Sequence, residues 1–290
     1  MDANMLSAYV ELSRPKHWVK NLFALLPVPF ALASGASLDI LVLAKGLLGF
    51  CLAASAVYAI NDAQDAERDK AHETKRERPV ASGRVSVGGA RIWAAGLFAL
   101  ALALGYSTGS IGAVAIIALY VAINLVYSLG GKHIPLVDVF LLSSYYLLRV
   151  LLGCALVNVE PSSWLLLCTF ALALFVSVAK RRADVIKGLD GSHRPSLLGY
   201  NQAFLDHSMS IMAGMTIVSY ALYSMQTEVL HEGREFAALP FVIFIVLDYL
   251  RIVHVKRSGG SPVDLLLGSP QLIAACCAWL IATLWSLRLI

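Results

Sequence analysis

Residues 45–83 read KGLLGFCLAASAVYAINDAQDAERDKAHETKRERPVASG. From Lys45 to Ile60 the run is almost wholly apolar, and the charges begin abruptly at Asn61. The apolar half decides between a soluble and a membrane fold. The charged half decides what chemistry the chain delivers at the end of that segment.

The whole chain follows the apolar half. Of its 290 residues 58% are hydrophobic and 14% charged, where a soluble domain has about half and about a quarter. A bilayer-spanning helix needs about 20 mostly apolar residues. Such runs occur at 18–33, 40–60, 88–105, 110–127, 135–155, 162–179, 207–226, 237–253 and 268–287. The first is short and contains Pro27 and Pro29, so a kink or tilt is expected there. Lipid offers backbone groups no partners, which leaves helices or closed barrels, and these lengths select helices. The expectation is an all-α integral membrane protein of nine transmembrane helices, one domain over residues 1–290, with no room for a soluble domain.

Loop charges orient the chain. With loops numbered alternately, one side carries Arg14, Lys16, Lys20, the six basic residues from Arg68 to Arg84, Lys132, Lys180, Arg181, Arg182, Lys187, Arg194, Lys256 and Arg257. The other carries only Arg234 and Arg288. The motif-bearing side is therefore cytoplasmic, with the N-terminus inside, the C-terminus outside and the inner cell membrane as the location. The first apolar run follows a basic flank without a small-residue cleavage site, so no signal peptide is expected. Cys51, Cys154, Cys168, Cys276 and Cys277 fall in apolar runs without a C-x-x-C pair, which points to packing rather than metal or redox chemistry. The net charge of +4 suits anionic lipid headgroups or phosphorylated substrates and implies no nucleic acid.

If the helix continues past Ile60, Asp62, Asp65 and Asp69 share one face with Asn61. Three stacked carboxylates repel one another, and they sit where the helix dipole disfavours anions. A divalent cation removes both penalties, and magnesium takes carboxylates together with substrate phosphates. A solvated acidic helix end neutralised by Arg68 and Lys70 explains the charge cluster but not its one-sided spacing. Lys75, Arg76 and Arg78, followed by the turn residues Pro79 and Gly83, add cations beside that face and suggest a bound diphosphate.

N-D-x-x-D-x-x-x-D at 61–69 with the K-R-x-R-P loop resembles the UbiA superfamily of intramembrane prenyltransferases. RPKHWVKN at 14–21, YSLGGKHIPLVDV at 127–139, LLRVLLG at 147–153, AKRRADV at 179–185, RPSLLGYNQAFLDH at 194–207 and SPVDLLL at 261–267 resemble, more narrowly, its polyprenyl-phosphate (decaprenyl-phosphate) phosphoribosyltransferase branch. Two positions depart from that pattern: Asp184 stands where Glu is usual, and Ser269 near a position often occupied by Asp. The aromatic prenyltransferases carry a second D-x-x-x-D motif on the later cytoplasmic loop. Here that loop has only Asp184 and Asp190, six apart, beside Lys180-Arg181-Arg182.

The resemblance implies transfer of a 5-phosphoribosyl group from 5-phosphoribosyl-1-diphosphate to a polyprenyl phosphate, with Mg²⁺ as cofactor. It implies Asp62, Asp65 and Asp69 as metal-binding catalytic residues. Substrate contacts are expected from Asn61, Lys16, Lys20, Lys75, Arg78, Tyr127, Lys132, Arg149, Lys180, Arg181, Arg182, Asp184, Arg194 and Tyr200. Lys16, Lys20 and Asn21 are equally well explained as interface anchors. Arg149 lies deep in an expected span, where a charge is usually functional or paired; Asp138 is a plausible partner, three turns away and so without direct contact. The histidines show no metal-ligand spacing, and no chemistry is assigned to them. An ionised phosphate oxygen needs no strong general base, and Mg²⁺ with Lys and Arg stabilises the leaving diphosphate. The nearest alternative is a UbiA-type prenyltransferase moving an isoprenoid onto an aromatic ring or lipid. A secondary transporter fits less well, because the charges gather at one face rather than the midplane. Membrane lipids are further partners, and a homo-oligomer is compatible with the sequence.

Overall fold

The computed structural model describes residues 3–71, 74–189, 194–255, 265 and 268–290. Asp190, His193, Lys256, Arg257 and most of the 261–267 stretch lie outside the described residues. Among the described residues there is no strand. The α-helices are α1 (Ala3–Ser13), α2 (Pro27–Ala33), α3 (Ile40–Gln64), α4 (Ala66–Lys70), α5 (Val87–Tyr106), α6 (Ile111–Leu129), α7 (Val137–Leu156), α8 (Ser163–Ile186), α9 (Gln202–Gln226), α10 (Leu239–Val255) and α11 (Pro270–Ser286). A 3₁₀ stretch, Pro15–Leu25, joins α1 to α2.

Five of these helices, α3 and α5 to α8, are long and apolar enough to cross a membrane. The run expected at 18–33 is not one helix. It is 3₁₀ as far as Leu25, and Pro27, which has no N–H to continue a ladder, opens α2. Helix α9 is as long as α3 but dilutes its apolar residues with Gln202, Asp206, His207 and serines. Helices α10 and α11 have 17 residues each. Side-chain caps start four helices: Asp39 accepts from Leu41 and Val42 N–H, Ser86 from Gly89, Asn201 from Phe204 and Ser269 from Leu272. Ser269 thus sits at a helix N-cap, where Ser and Asp serve equally well, which accounts physically for that departure from the branch pattern.

The chain forms two compact units. The first contains residues 1–26, 38–128 and 148–158. Its core is built from small residues: Ala56, Ala59 and Ala63 of α3 pack with Ala90, Ala94 and Leu97 of α5 and with Ala8 and Leu12 of α1. A Cβ at Gly49 would stand 3.0 Å from the Ala101 carbonyl oxygen, so the α3–α5 approach requires glycine there. Close backbone approach of this kind is how helices associate in lipid. Hydrogen bonds pin the N-terminal segment to the pair: Trp93 Nε1 donates to Ser13 Oγ (3.0 Å), Ser55 Oγ to Ser13 O (2.7 Å) and Trp18 Nε1 to Ser55 Oγ (3.0 Å).

The second unit contains residues 27–37, 129–147 and 159–290. Its core uses larger side chains, with Phe175 and Val178 of α8, Leu205 and Met209 of α9, and Val246 and Ile252 of α10 packed together.

Candidate active site

In the first unit the C-terminal end of α3 carries the acidic motif. The helix breaks at Asp65, which caps α3 and opens α4, yet the Asp65 N–H still reaches Asn61 O (2.9 Å) and the Asp69 N–H reaches Asp65 O (2.8 Å). The backbone ladder therefore continues across a local break. Asp62 and Asp69 are only 2% and 3% exposed, and Asp65 is half-buried. Asn61 Oδ1 accepts from Ser128 Oγ at 2.5 Å.

Guanidinium groups relieve the repulsion among these carboxylates. Arg78 Nη1 lies between two of them, 3.2 Å from Asp62 Oδ1 and 2.7 Å from Asp69 Oδ2. Arg14 Nη2 donates to Asp62 Oδ1 at 2.6 Å, and Lys75 Nζ stands 4.0 Å from Asp69 Oδ1. Arg68 and Lys70, the neutralising pair expected on the bland reading, do not take this part: Lys70 pairs with Glu67 at 2.6 Å and Arg68 is exposed. The loop that returns Arg78 turns at Gly83, whose φ is +78°, a conformation that glycine adopts freely.

Arg14 reaches Asp62 from an unusual backbone. Its φ of 48° and ψ of 56° are left-handed, which costs an L-residue roughly 1–2 kcal/mol. Strain of this order persists where surrounding contacts enforce it. Here they are the Asp62 ion pair and the Tyr58 ring, 4.9 Å beneath the guanidinium carbon. Glu11, Arg14, His17, Asp62, Arg78 and Pro79 line a cavity of about 310 Å³. His17 packs edge-on against Tyr58, with centroids 5.3 Å apart. Burial, then the charges of Lys20 and Arg14, push its pKa below the ordinary value, so its imidazole is neutral at pH 7.

Deeper in the same unit, Arg149 Nε donates to Asn21 Oδ1 at 2.9 Å, and Asn21 Nδ2 to Cys51 Sγ at 3.2 Å. The Arg149 guanidinium lies over the Phe50 and Tyr120 rings, at 5.5 and 5.7 Å. Asp138, three turns earlier on α7, takes other partners, described below. Lys20 and Tyr127 are half-buried, and Lys16 is exposed.

The remaining expected residues fall in the second unit. Asp138 is fully buried and accepts three hydrogen bonds, from Arg181 Nε (2.7 Å), Ser196 Oγ (2.9 Å) and Tyr200 OH (2.7 Å). Arg181 Nη1 also reaches Asp184 Oδ2 at 3.3 Å. Arg182 is engaged at every guanidinium nitrogen, through Asp206, Val253 O at 3.0 Å and His254 Nδ1 at 3.2 Å. Lys180 is exposed, while Lys132 and Arg194 are half-buried. Burial first and the Asp138 hydrogen bond second raise the Tyr200 phenol pKa.

Arg14 and His17 are site residues that motif spacing alone does not single out, since they lie some fifty residues before the aspartates. The signal was their presence in RPKHWVKN. Among the described residues, no three His, Cys, Asp or Glu side chains converge tightly enough to hold a metal as they stand. The donor set nevertheless fits a hard cation: Asp62 and Asp69 are buried carboxylates, and Asp62 Oδ2 is buried with no hydrogen-bond partner, an arrangement whose cost a cation removes.

Residues 21–261 match the UbiA prenyltransferase family. A decaprenyl-phosphate phosphoribosyltransferase of Corynebacterium glutamicum is 33% identical over 95% of this chain and 85% of its own. One from Mycobacterium tuberculosis is 32% identical over 96% and 93%. A UbiA homolog from Archaeoglobus fulgidus, solved with GPP and Mg²⁺ bound, superposes with a TM-score of 0.74 at 21% identity, covering 95% of this chain and 98% of that one.

Proposed function

The chain belongs to the UbiA prenyltransferase family, and from that premise we propose that it transfers a 5-phosphoribosyl group from 5-phosphoribosyl-1-diphosphate to a polyprenyl phosphate, releasing diphosphate. Relatives from Corynebacterium glutamicum and Mycobacterium tuberculosis that match it over nearly its whole length are decaprenyl-phosphate phosphoribosyltransferases. The observation that carries the reading to this chain is the Asp62–Arg78–Asp69 cluster with Arg14, of which Asp62, Arg14 and Arg78 line one cavity.

The chemistry asks for charge management rather than a nucleophilic side chain. The attacking oxygen belongs to a lipid phosphate, ionised at neutral pH. As the C1–O bond to diphosphate breaks, negative charge builds on the leaving oxygens. Arg14 and Arg78 are placed to take that charge, since guanidinium groups bind phosphate oxygens in bidentate fashion. Asp62, Asp65 and Asp69 would hold Mg²⁺, which supplies Lewis-acid stabilisation of the diphosphate. The same carboxylates hold Arg14 and Arg78 in place.

In this reading the protein crosses the inner membrane nine times, with the N-terminus and the acidic motif on the cytoplasmic side. The acceptor's tail stays among apolar helices while its phosphate meets the water-soluble donor at the interface.

The test is a transfer assay with the detergent-solubilised full chain, Mg²⁺, labelled phosphoribosyl diphosphate and a polyprenyl phosphate. Phosphoribosylated lipid is the expected product. Turnover only with a prenyl diphosphate and an aromatic acceptor would move the protein to the conventional prenyltransferases.

A further inference from the structure

The cavity beside Asp62 has six lining residues, and they divide by charge. Glu11, Asp62, Arg14 and Arg78 are charged groups suited to cations and phosphates, and Pro79 is apolar. His17 alone among them is polar and uncharged. Its Nδ1 is buried without a hydrogen-bond partner, so no bond to the protein fixes the ring's tautomer, and Nε2 of the half-buried ring is the nitrogen left to meet a ligand. What positions the ring is the edge contact with Tyr58 and the backbone bond from His17 N–H to Arg14 O at 2.9 Å. Tyr58 is one helical turn before Asp62 on α3, so ring and carboxylate are placed by the same element.

A neutral imidazole offers one donor and one acceptor, which is what a hydroxyl needs. In phosphoribosyl diphosphate the 2-hydroxyl is on the carbon next to C1, which bears the diphosphate. A residue beside the diphosphate-binding carboxylate and arginines is therefore beside that hydroxyl. The first carbons of a prenyl diphosphate present only C–H groups at the same place and would leave the imidazole covered and unpaired, a loss of the kind by which polar sites reject analogues lacking a hydroxyl.

We propose that His17 is a specificity-determining residue: it hydrogen-bonds the ribose 2-hydroxyl of the donor and so distinguishes a phosphoribosyl from a prenyl diphosphate. This rests on the donor assignment made above.

Calorimetry on the solubilised full chain with Mg²⁺ tests it, using phosphoribosyl diphosphate, its 2-deoxy analogue, inorganic diphosphate and geranyl diphosphate as probes. His17→Phe keeps an aromatic ring against Tyr58 and should weaken phosphoribosyl diphosphate binding about tenfold, the size of one neutral hydrogen bond. Inorganic diphosphate should bind His17→Phe as it binds the unsubstituted chain, which also shows that the variant is folded. His17→Gln, a neutral donor and acceptor, should restore most of the loss. The 2-deoxy analogue should bind the unsubstituted chain and His17→Phe equally. Undiminished phosphoribosyl diphosphate binding by His17→Phe overturns the inference alone, as does an equal loss of inorganic diphosphate. If the unsubstituted chain binds geranyl diphosphate and not phosphoribosyl diphosphate, the donor assignment falls and takes this inference with it.

Discussion

Arg181 donates its Nε hydrogen to Asp138 Oδ2 at 2.7 Å, and both side chains are shut off from solvent. Asp138 opens α7 and Arg181 stands near the end of α8, so the pair clamps two helices whose residues are 43 positions apart. Ser196 and Tyr200 add the 195–200 turn to the same carboxylate. Removing one member of a buried ion pair leaves the other charge desolvated and costs about 3–5 kcal/mol. Asp138→Ala is therefore expected to lower the thermal unfolding midpoint of the detergent-solubilised protein sharply. Asp138→Leu combined with Arg181→Leu should recover part of the loss, since the fully buried charges leave together and Asp184, the other partner of Arg181, keeps access to water at 18% exposure. An Asp138→Ala protein as stable as the unsubstituted chain would show that the clamp contributes nothing.

Tyr200 makes the same clamp sensitive to alkali. Its folded phenol pKa is raised, by burial and by the Asp138 carboxylate that it donates to. Raised means that the folded state holds the proton more tightly than the unfolded chain, whose value is about 10. The stability that this contributes is complete below about pH 10 and is lost as pH climbs above it. Unfolding midpoints measured from pH 8 to 11 should fall toward the alkaline end, and the Tyr200→Phe protein should show a shallower fall. Parallel curves would remove Tyr200 from the explanation.

Asp62 is expected to be required for turnover and dispensable for folding. Asp62→Asn keeps the shape but removes the charge, so a cation and Arg14 both lose their carboxylate. Loss of one electrostatic stabiliser of a transition state typically costs about 10²–10³ in rate. Arg14 and Arg78 side chains are 22% and 29% exposed and can turn to water, which limits the structural penalty. The measurement is initial rate across a Mg²⁺ titration, alongside the unfolding midpoint. Unsubstituted-level turnover at saturating Mg²⁺ would remove Asp62 from the metal site.

Arg78 ends the 3₁₀ turn Lys75–Glu77, whereas Arg182, in a basic run that the sequence placed in a loop, stands inside α8, and their surroundings predict opposite phenotypes. Arg78 touches the cavity and lies part-exposed between Asp62 and Asp69, so Arg78→Ala should raise the donor KM about tenfold or more with a small change in stability. Arg182 is 4% exposed and spends every guanidinium nitrogen on Asp206, Val253 O and His254. Arg182→Ala should lower the unfolding midpoint, leaving KM for the surviving folded fraction close to normal. Steady-state kinetics paired with melting curves separate the cases, and a KM effect at Arg182 without a stability effect would reverse the assignment.

Composition and run length by themselves determined the helical membrane character, because a bilayer demands long apolar helices and tolerates little else. The spacing of Asp62, Asp65 and Asp69 placed them at one helix end, since local periodicity needs no tertiary knowledge. The N-D-x-x-D-x-x-x-D motif pointed to the family, and RPKHWVKN with its companion stretches to the phosphoribosyltransferase branch. Pairing was beyond reach. Nothing in the chain's order says that Arg14 meets Asp62 across 48 residues, that Arg78 rather than Arg68 or Lys70 bridges the carboxylates, or that Asp138 takes Arg181 and leaves Arg149 to Asn21 and two aromatic rings. A basic side chain in a loop reads the same whether it faces a phosphate or a buried aspartate. Only packing decides, because burial makes one partner obligatory where water would have served for all.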